Sequence, residues 1–265
     1  METCIWCGSS PASSLEHILP DALGCPPNFV LATGVCEPCN HKNGQLDRAL
    51  LTPFEIVTVI KGIPRKKGRR PTIDGFSSLA SSHDENGPVL YVNGEAHSVK
   101  MPNGKVLKGL SPDNPIQDVR ITRRHDGLTN ISHTQQLRFD YKAVRGLFKI
   151  AFESVAYFQG LAVAQEDRFD EIRKFVKTGK GNFKALITPD PSESYESYVH
   201  GGASKPGHEM VVGMTILGVG FICDFDPEFR SGDLLIVEFK RQNQSVQVIP
   251  NWPKALWKEN NNIVA

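Results

Sequence analysis

The stretch VCEPCNHKNGQLD, Val35 to Asp47, joins a cysteine pair directly to a polar run that continues in a helical pattern. A C-x-x-C pair lets two thiolates of one turn reach the same ion at about 2.3 Å. Toward the N-terminus a second pair, Cys4-Ile5-Trp6-Cys7, precedes it with residues 8–35 between. A lone pair is open to redox or metal use, but two pairs complete a tetrahedral set, so Cys4, Cys7, Cys36 and Cys39 read as ligands of a structural zinc. Gly8, directly after the first pair, suits the sharp turn of a knuckle. A closed four-thiolate site does no chemistry. It staples a segment too short to be stable through its own core.

The whole chain sets the frame for this unit. Its 265 residues are 40% hydrophobic and 22% charged, which fits a soluble globular protein of one or two domains. No apolar run approaches the roughly 20 residues of a membrane helix, and METCIWCGSS has neither a charged leader nor an apolar signal core, so a cytoplasmic protein is expected. Close cysteine pairs suit metal binding in a reducing compartment better than a disulfide framework. Of the other cysteines, Cys25 precedes Pro26-Pro27, and Cys223 in GVGFICDF reads as a small buried residue. The net charge of +1 does not announce a nucleic-acid binder, so that reading must rest on local charge.

Along the chain, a helix is expected from Cys39 to about Leu51, limited by Pro53. PFEIVTVIKGI is open between a short helix and a strand, because its β-branched residues compete with its spacing. VLYVNGEAHSVKMPNG predicts a hairpin turning at Asn93-Gly94, and QDVRITRR and QQLRFD are further strand candidates. The clearest helix is Tyr141 to Gln159, with Val144, Leu147, Phe148, Ala151, Val155 and Phe158 on one core-facing stripe. A second helix is expected over Glu166 to Lys177, stopping at Gly179. HEMVVGMTILGVGFICDF and DLLIVEFKRQNQSVQVIP predict a strand-rich last third with a turn at Asp226 to Gly232. The fold class is therefore α+β. Residues 1–55 form a zinc-bound unit, 56–75 a basic linker, and 76–265 a larger domain for DNA positioning or dimerisation.

Between the cysteine pairs lies SLEHILPDALG, with Glu16 and His17 adjacent and Pro20 three residues on. The order cysteine pair, Glu-His-x-x-Pro, cysteine pair, Asn, then Gly and Asp resembles the HNH endonuclease family in its zinc-stapled four-cysteine variant. The resemblance covers roughly residues 4 to 50 and implies a β-hairpin and helix (ββα-metal) around one catalytic ion. It implies that His17 activates water and that Glu16 and Asn40 hold Mg²⁺ or Mn²⁺; His41 competes with Asn40 for that role. The chemistry is coherent: histidine titrates near neutral pH, and a hard ion prefers carboxylate and amide oxygens. Adjacent residues of a regular strand face opposite ways, so a backbone irregularity is expected at Glu16-His17. Asn40, Asn43 and Asp47 fall on one helix face, with Asp47 open between a supporting role and a solvated charge. The family's middle asparagine is Leu31 here, with Asn28 and Thr33 nearby.

IKGIPRKKGRRP gathers Lys61, Arg65, Lys66, Lys67, Arg69 and Arg70 without an acid, open between a solvated loop and a phosphate contact; RITRRH is a weaker candidate. The expectation is a metal-dependent endonuclease on DNA, presumed double-stranded, with a double-strand cut requiring a homodimer or two visits. The resemblance suggests a mobile-element or anti-phage context. The alternative is a zinc-finger nucleic-acid-binding protein without catalysis.

Overall fold

The computed structural model describes residues 2–9, 11–54, 57–58, 63, 98–100, 106–108, 116–123, 129–135, 139–189, 197–203 and 209–249. The architecture is α+β, as the sequence predicts. Strand β1 (Ser14–His17) pairs antiparallel with β2 (Val30–Val35), Ser14 opposite Val35 and His17 opposite Val30. The register shifts between Ser14 and Glu16, one step before the Glu16-His17 position at which an irregularity is expected, and Glu16 and His17 pair in regular succession with Leu31 and Val30. Helix α1 (Glu37–Leu51) follows, with Cys36 at its N-cap, and passes into a 3₁₀ turn, Thr52–Phe54, that contains Pro53.

The chain divides into two compact units, one of residues 1–52 with 139–265 and one of residues 53–138. This differs from the expected boundaries at 55 and 76: the cysteine-bearing segment is no separate domain. Among its buried apolar side chains, Trp6, Leu46 and Leu50 pack against α2 (Tyr141–Gln159). At the crossing, Gly146 brings the backbones together. A Cβ there would lie 3.0 Å from the Leu46 carbonyl oxygen and 3.1 Å from Leu50 Cβ.

Helix α2 has the bounds that its spacing predicts. Asp140 caps it, its side chain accepting from Ala143 N at 2.7 Å, and Gly160 ends it. The stripe is core at Val144, Leu147, Phe148, Ala151 and Val155, whereas Phe158 is exposed. A short helix α3 (Leu161–Ala164), a 3₁₀ turn (Asp167–Phe169) and α4 (Asp170–Thr178) take the place of the single second helix, and Gly179 closes α4 in the left-handed conformation.

In the same unit, an antiparallel sheet runs in the order β11-β7-β10-β9-β8. Its members are β7 (Ala185–Pro189), β8 (Tyr198–Ala203), β9 (Val211–Ile216), β10 (Val219–Asp224) and β11 (Gln247–Ile249). Leu217 and Gly218, both at positive φ, make the tight β9–β10 turn. DLLIVEFKR is not strand: it lies in α5 (Arg230–Arg241). Two aspartates decide this. Asp224 accepts from Gly232 N at 2.7 Å, and Asp226 accepts from Glu228 N and pairs with Arg230, so donors of the first turn are satisfied.

In residues 53–138, β3 (Ser98–Lys100) pairs with β4 (Val106–Lys108), and β5 (Ile116–Arg123) pairs with β6 (Thr129–Gln135). The expected turn at Asn93-Gly94 and most of PFEIVTVIKGI lie outside the described residues. Of QQLRFD, Gln135 ends β6 and Asp140 caps α2. Among the described residues no helix is long and apolar enough to cross a membrane.

Tyr141 locks the start of α2 to the end of α4. Its hydroxyl donates to the carbonyls of Gly179 and, at 3.2 Å, Gly181. Burial pushes its pKa up to about 12, against the opposing effect of Arg145. The folded value exceeds the unfolded one of about 10, so this stabilisation is complete below pH ~10 and lost as pH rises toward 12. In urea denaturation series, Tyr141→Phe is expected to remove about 2–3 kcal/mol of the wild-type loss across that window. Equal losses in both proteins would reject the assignment.

Candidate functional site

The cysteine cluster is assembled by two backbone turns. At the first, Cys4 N donates to Ser9 O at 2.7 Å and Gly8 N to Cys4 O at 2.8 Å, with Gly8 at φ 72°. At the second, Cys36 caps α1 and Cys39 lies in its first turn. The four sulfurs lie within 4.8 Å of one another, and Cys7 and Cys36 are 3.7 Å apart. Tetrahedral zinc with bonds of about 2.3 Å has sulfur–sulfur edges of about 3.8 Å. The donor set therefore fits a metal ion such as zinc. Burial pushes the Cys4 and Cys39 thiols up. At Cys7 burial acts upward too, but hydrogen bonds from Ser9 and the neighbouring thiols outweigh it and bring the pKa down to about 7.

The knuckle is fixed to α2 through Trp6. Its indole packs edge-on to Phe152 at 4.8 Å between centroids and donates Nε1–H to Glu153 Oε1 at 3.0 Å. On the other side of the hairpin, Asn40 ties α1 to β1, its Nδ2 donating to Ser14 Oγ at 2.8 Å and Leu15 O at 2.9 Å. That fixes the amide orientation and leaves Oδ1 as its oxygen donor. His41 is exposed.

His17 ends β1 with its side chain 40% exposed, and its Nε2 lies 3.3 Å from Asp21 Oδ1. Asp21 was not among the residues expected to act. Its signal in the sequence is the four-residue step from His17 across Pro20, which a 3₁₀ turn, Asp21–Leu23, folds back toward the ring.

Glu16 is where the structure departs from the expected metal site. Its alternation with His17 survives the irregular register, so its carboxylate turns into the core, 2% exposed, and meets Lys149 Nζ at 2.5 Å. Lys149, on α2 and fully buried, also lies 3.1 Å from Asp47 Oδ1 and 3.3 Å from Glu153 Oε2, and donates to His17 O at 3.3 Å. Glu16 Oε1 is thus engaged by a lysine, while its Oε2 has no hydrogen-bond partner. Among the described residues the four cysteines are the one group of three or more His, Cys, Asp or Glu side chains placed to share an ion. Asp47 belongs to the lysine cluster, and Asn43 is buried on α1.

Burial raises the Glu16 and Glu153 carboxyls against the opposing pull of Lys149. For Lys149 burial acts downward and is outweighed by Glu153, Asp47 and Glu16, which hold the ammonium charged. One ammonium facing three carboxyl groups favours retention of a proton on a carboxyl.

Leu31 is buried opposite Glu16. The loop is held otherwise: Tyr157 OH donates to Asn28 O at 3.1 Å, Ile18 N donates to Phe29 O at 3.3 Å, and the Cys25 thiol contacts the carbonyls of Pro26 and Phe29. Cys223 is buried, as expected. Lys61, Arg65, Lys66, Lys67, Arg69 and Arg70 lie outside the described residues, and Arg120 to Arg123 are on β5.

Replacing Lys149 by Met strands buried carboxylates and is expected to cost about 3–5 kcal/mol in chemical denaturation. A cost under about 1 kcal/mol, the level of an exposed pair, would refute the buried cluster. No protein-family model matches the chain, and neither a curated protein nor a solved structure is significantly similar to it.

Proposed function

We propose that this chain is an HNH-type endonuclease that hydrolyses DNA phosphodiester bonds, with His17 as the base that activates water. The observation that carries the reading is a half-exposed histidine at the end of the first strand of a ββα unit, with a carboxylate on one ring nitrogen. An Nε2–H turned toward Asp21 Oδ1, 3.3 Å away, would leave Nδ1 to accept a proton from water. Asp21 holds the ring and stabilises the imidazolium that forms. Asn40 Oδ1 and the substrate phosphate would hold Mg²⁺ or Mn²⁺, whose contribution is charge neutralisation at the scissile phosphate. Zinc at Cys4, Cys7, Cys36 and Cys39 would be structural, and free cysteines suit a reducing cytoplasm.

The expected substrate is double-stranded DNA. A single site nicks one strand, so a double-strand break requires a homodimer or two visits. The six cations from Lys61 to Arg70 supply sequence-independent phosphate contacts in this reading. The resemblance supports a setting in mobile elements or in defence against phage. One observation favours a second reading, a zinc-stapled nucleic-acid-binding protein without catalysis: Glu16, the acid that the resemblance assigns to the ion, is engaged by Lys149.

Plasmid nicking with Mg²⁺ or Mn²⁺ against a chelator separates the two readings. His17→Ala is expected to lose about 10²–10⁴-fold in rate while keeping zinc content and DNA binding. A variant that nicks as fast as wild type removes His17 from the reaction, and a wild type that binds without nicking selects the second reading. Neutralising the six cations is expected to flatten the salt dependence of DNA binding. An unchanged slope reduces the run to a solvated loop.

A further inference from the structure

The cluster around Lys149 has no part in the chemistry above, yet it lies directly beneath the candidate base. Glu16 and Asp47 are oxygen donors that the sequence offers to a hard cation near His17. Both meet one ammonium, at 2.5 and 3.1 Å, and Glu153 closes the cluster at 3.3 Å from the next turn of α2. The same Nζ reaches the backbone oxygen of His17 at 3.3 Å. Glu16 and His17 are neighbours on β1, so one side chain holds the strand through a carboxylate and through the following carbonyl.

We propose that Lys149 is a built-in cation of the candidate site: it takes the place at Glu16 that the resemblance gives to a divalent ion, and it positions His17. The positioning role rests on the reading of His17 as the base; the assignment of the cation does not. Three physical arguments support it. An ammonium is compact, carries three donors and is fully charged without a loading step. At Glu16 Oε1 a divalent ion would have to displace a lysine that is completely buried. The backbone hydrogen bond also acts on His17 itself, so the lysine bears on where the ring sits as well as on the stability of the hairpin.

The deciding variant is Glu16→Gln, which keeps side-chain shape and leaves the lysine in place. Mn²⁺ uptake by the zinc-loaded full chain is followed by electron paramagnetic resonance. Glu16→Gln is expected to match the wild type, whether the wild type takes up Mn²⁺ or none. A loss of about tenfold or more in Mn²⁺ affinity, as for a removed ligand or its support, overturns the assignment. Positioning is read on the His17 ring signal in NMR at fixed pH. Lys149→Met is expected to shift it while the signal of His200, on β8, stays, and Lys149→Arg to return it toward the wild-type position. An unmoved His17 signal in folded Lys149→Met overturns the positioning role. Neither readout uses cleavage, so failure of the nuclease reading, seen in the nicking assay, is distinguishable from failure of this inference.

Discussion

The buried ammonium of Lys149 is the constraint that joins β1 and α1 to α2. An ion of this size costs several kcal/mol to bring out of water, and only close opposite charge offsets that cost. Here the offset comes from β1 through Glu16, from α1 through Asp47 and from α2 itself through Glu153. Apolar contacts such as those of Leu46 and Leu50 tolerate sliding. Ion pairs at 2.5 to 3.3 Å do not, so the cluster fixes the positions of three elements at once. The hydrogen bonds of the ammonium to Glu16 and to the His17 carbonyl are directional, and such contacts favour a single register over a merely compact one.

The cysteine cluster does a complementary job. It gathers the residues around Cys4 and the start of α1, while Trp6 carries the knuckle onto α2 through Phe152 and Glu153. Glu153 thus serves both networks, accepting from the indole with one oxygen and facing Lys149 with the other. His17 lies at the edge of this double anchorage. Its backbone is held from within by Lys149 and its ring from outside by Asp21.

Local signals were the legible ones. Cysteine spacing, the apolar periodicity of Tyr141 to Gln159 and the Gly179 stop depend on neighbours in sequence and correspond to the elements observed. What the sequence leaves unread depends on distant partners. Lys149 and Glu153, which the apolar stripe leaves aside, form a buried i,i+4 pair because α2 is buried nearly all round. Glu16 reads as a metal acid until the lysine from α2 faces it. DLLIVEF reads as strand from its β-branched and aromatic residues, whereas aspartates 224 and 226 cap it as helix. The expected domain boundary missed that the first 52 residues share a core with the chain from Phe139 onward.

That shared core has a kinetic side. Trp6 and its partner Glu153 are 147 positions apart, so the knuckle leaves the ribosome well before the helix that covers it. At roughly 5–20 residues per second, the interval is on the order of 7–30 s. During it the hairpin has neither Lys149 for its buried carboxylate nor Phe152 for its indole. Chain closure over such a distance is slow, whereas a metal held by the cysteine cluster would, like the β1–β2 pairing, need nothing still to be synthesised. Zinc availability would therefore bear on the yield of folded protein at synthesis, beyond its effect on stability once the protein is complete.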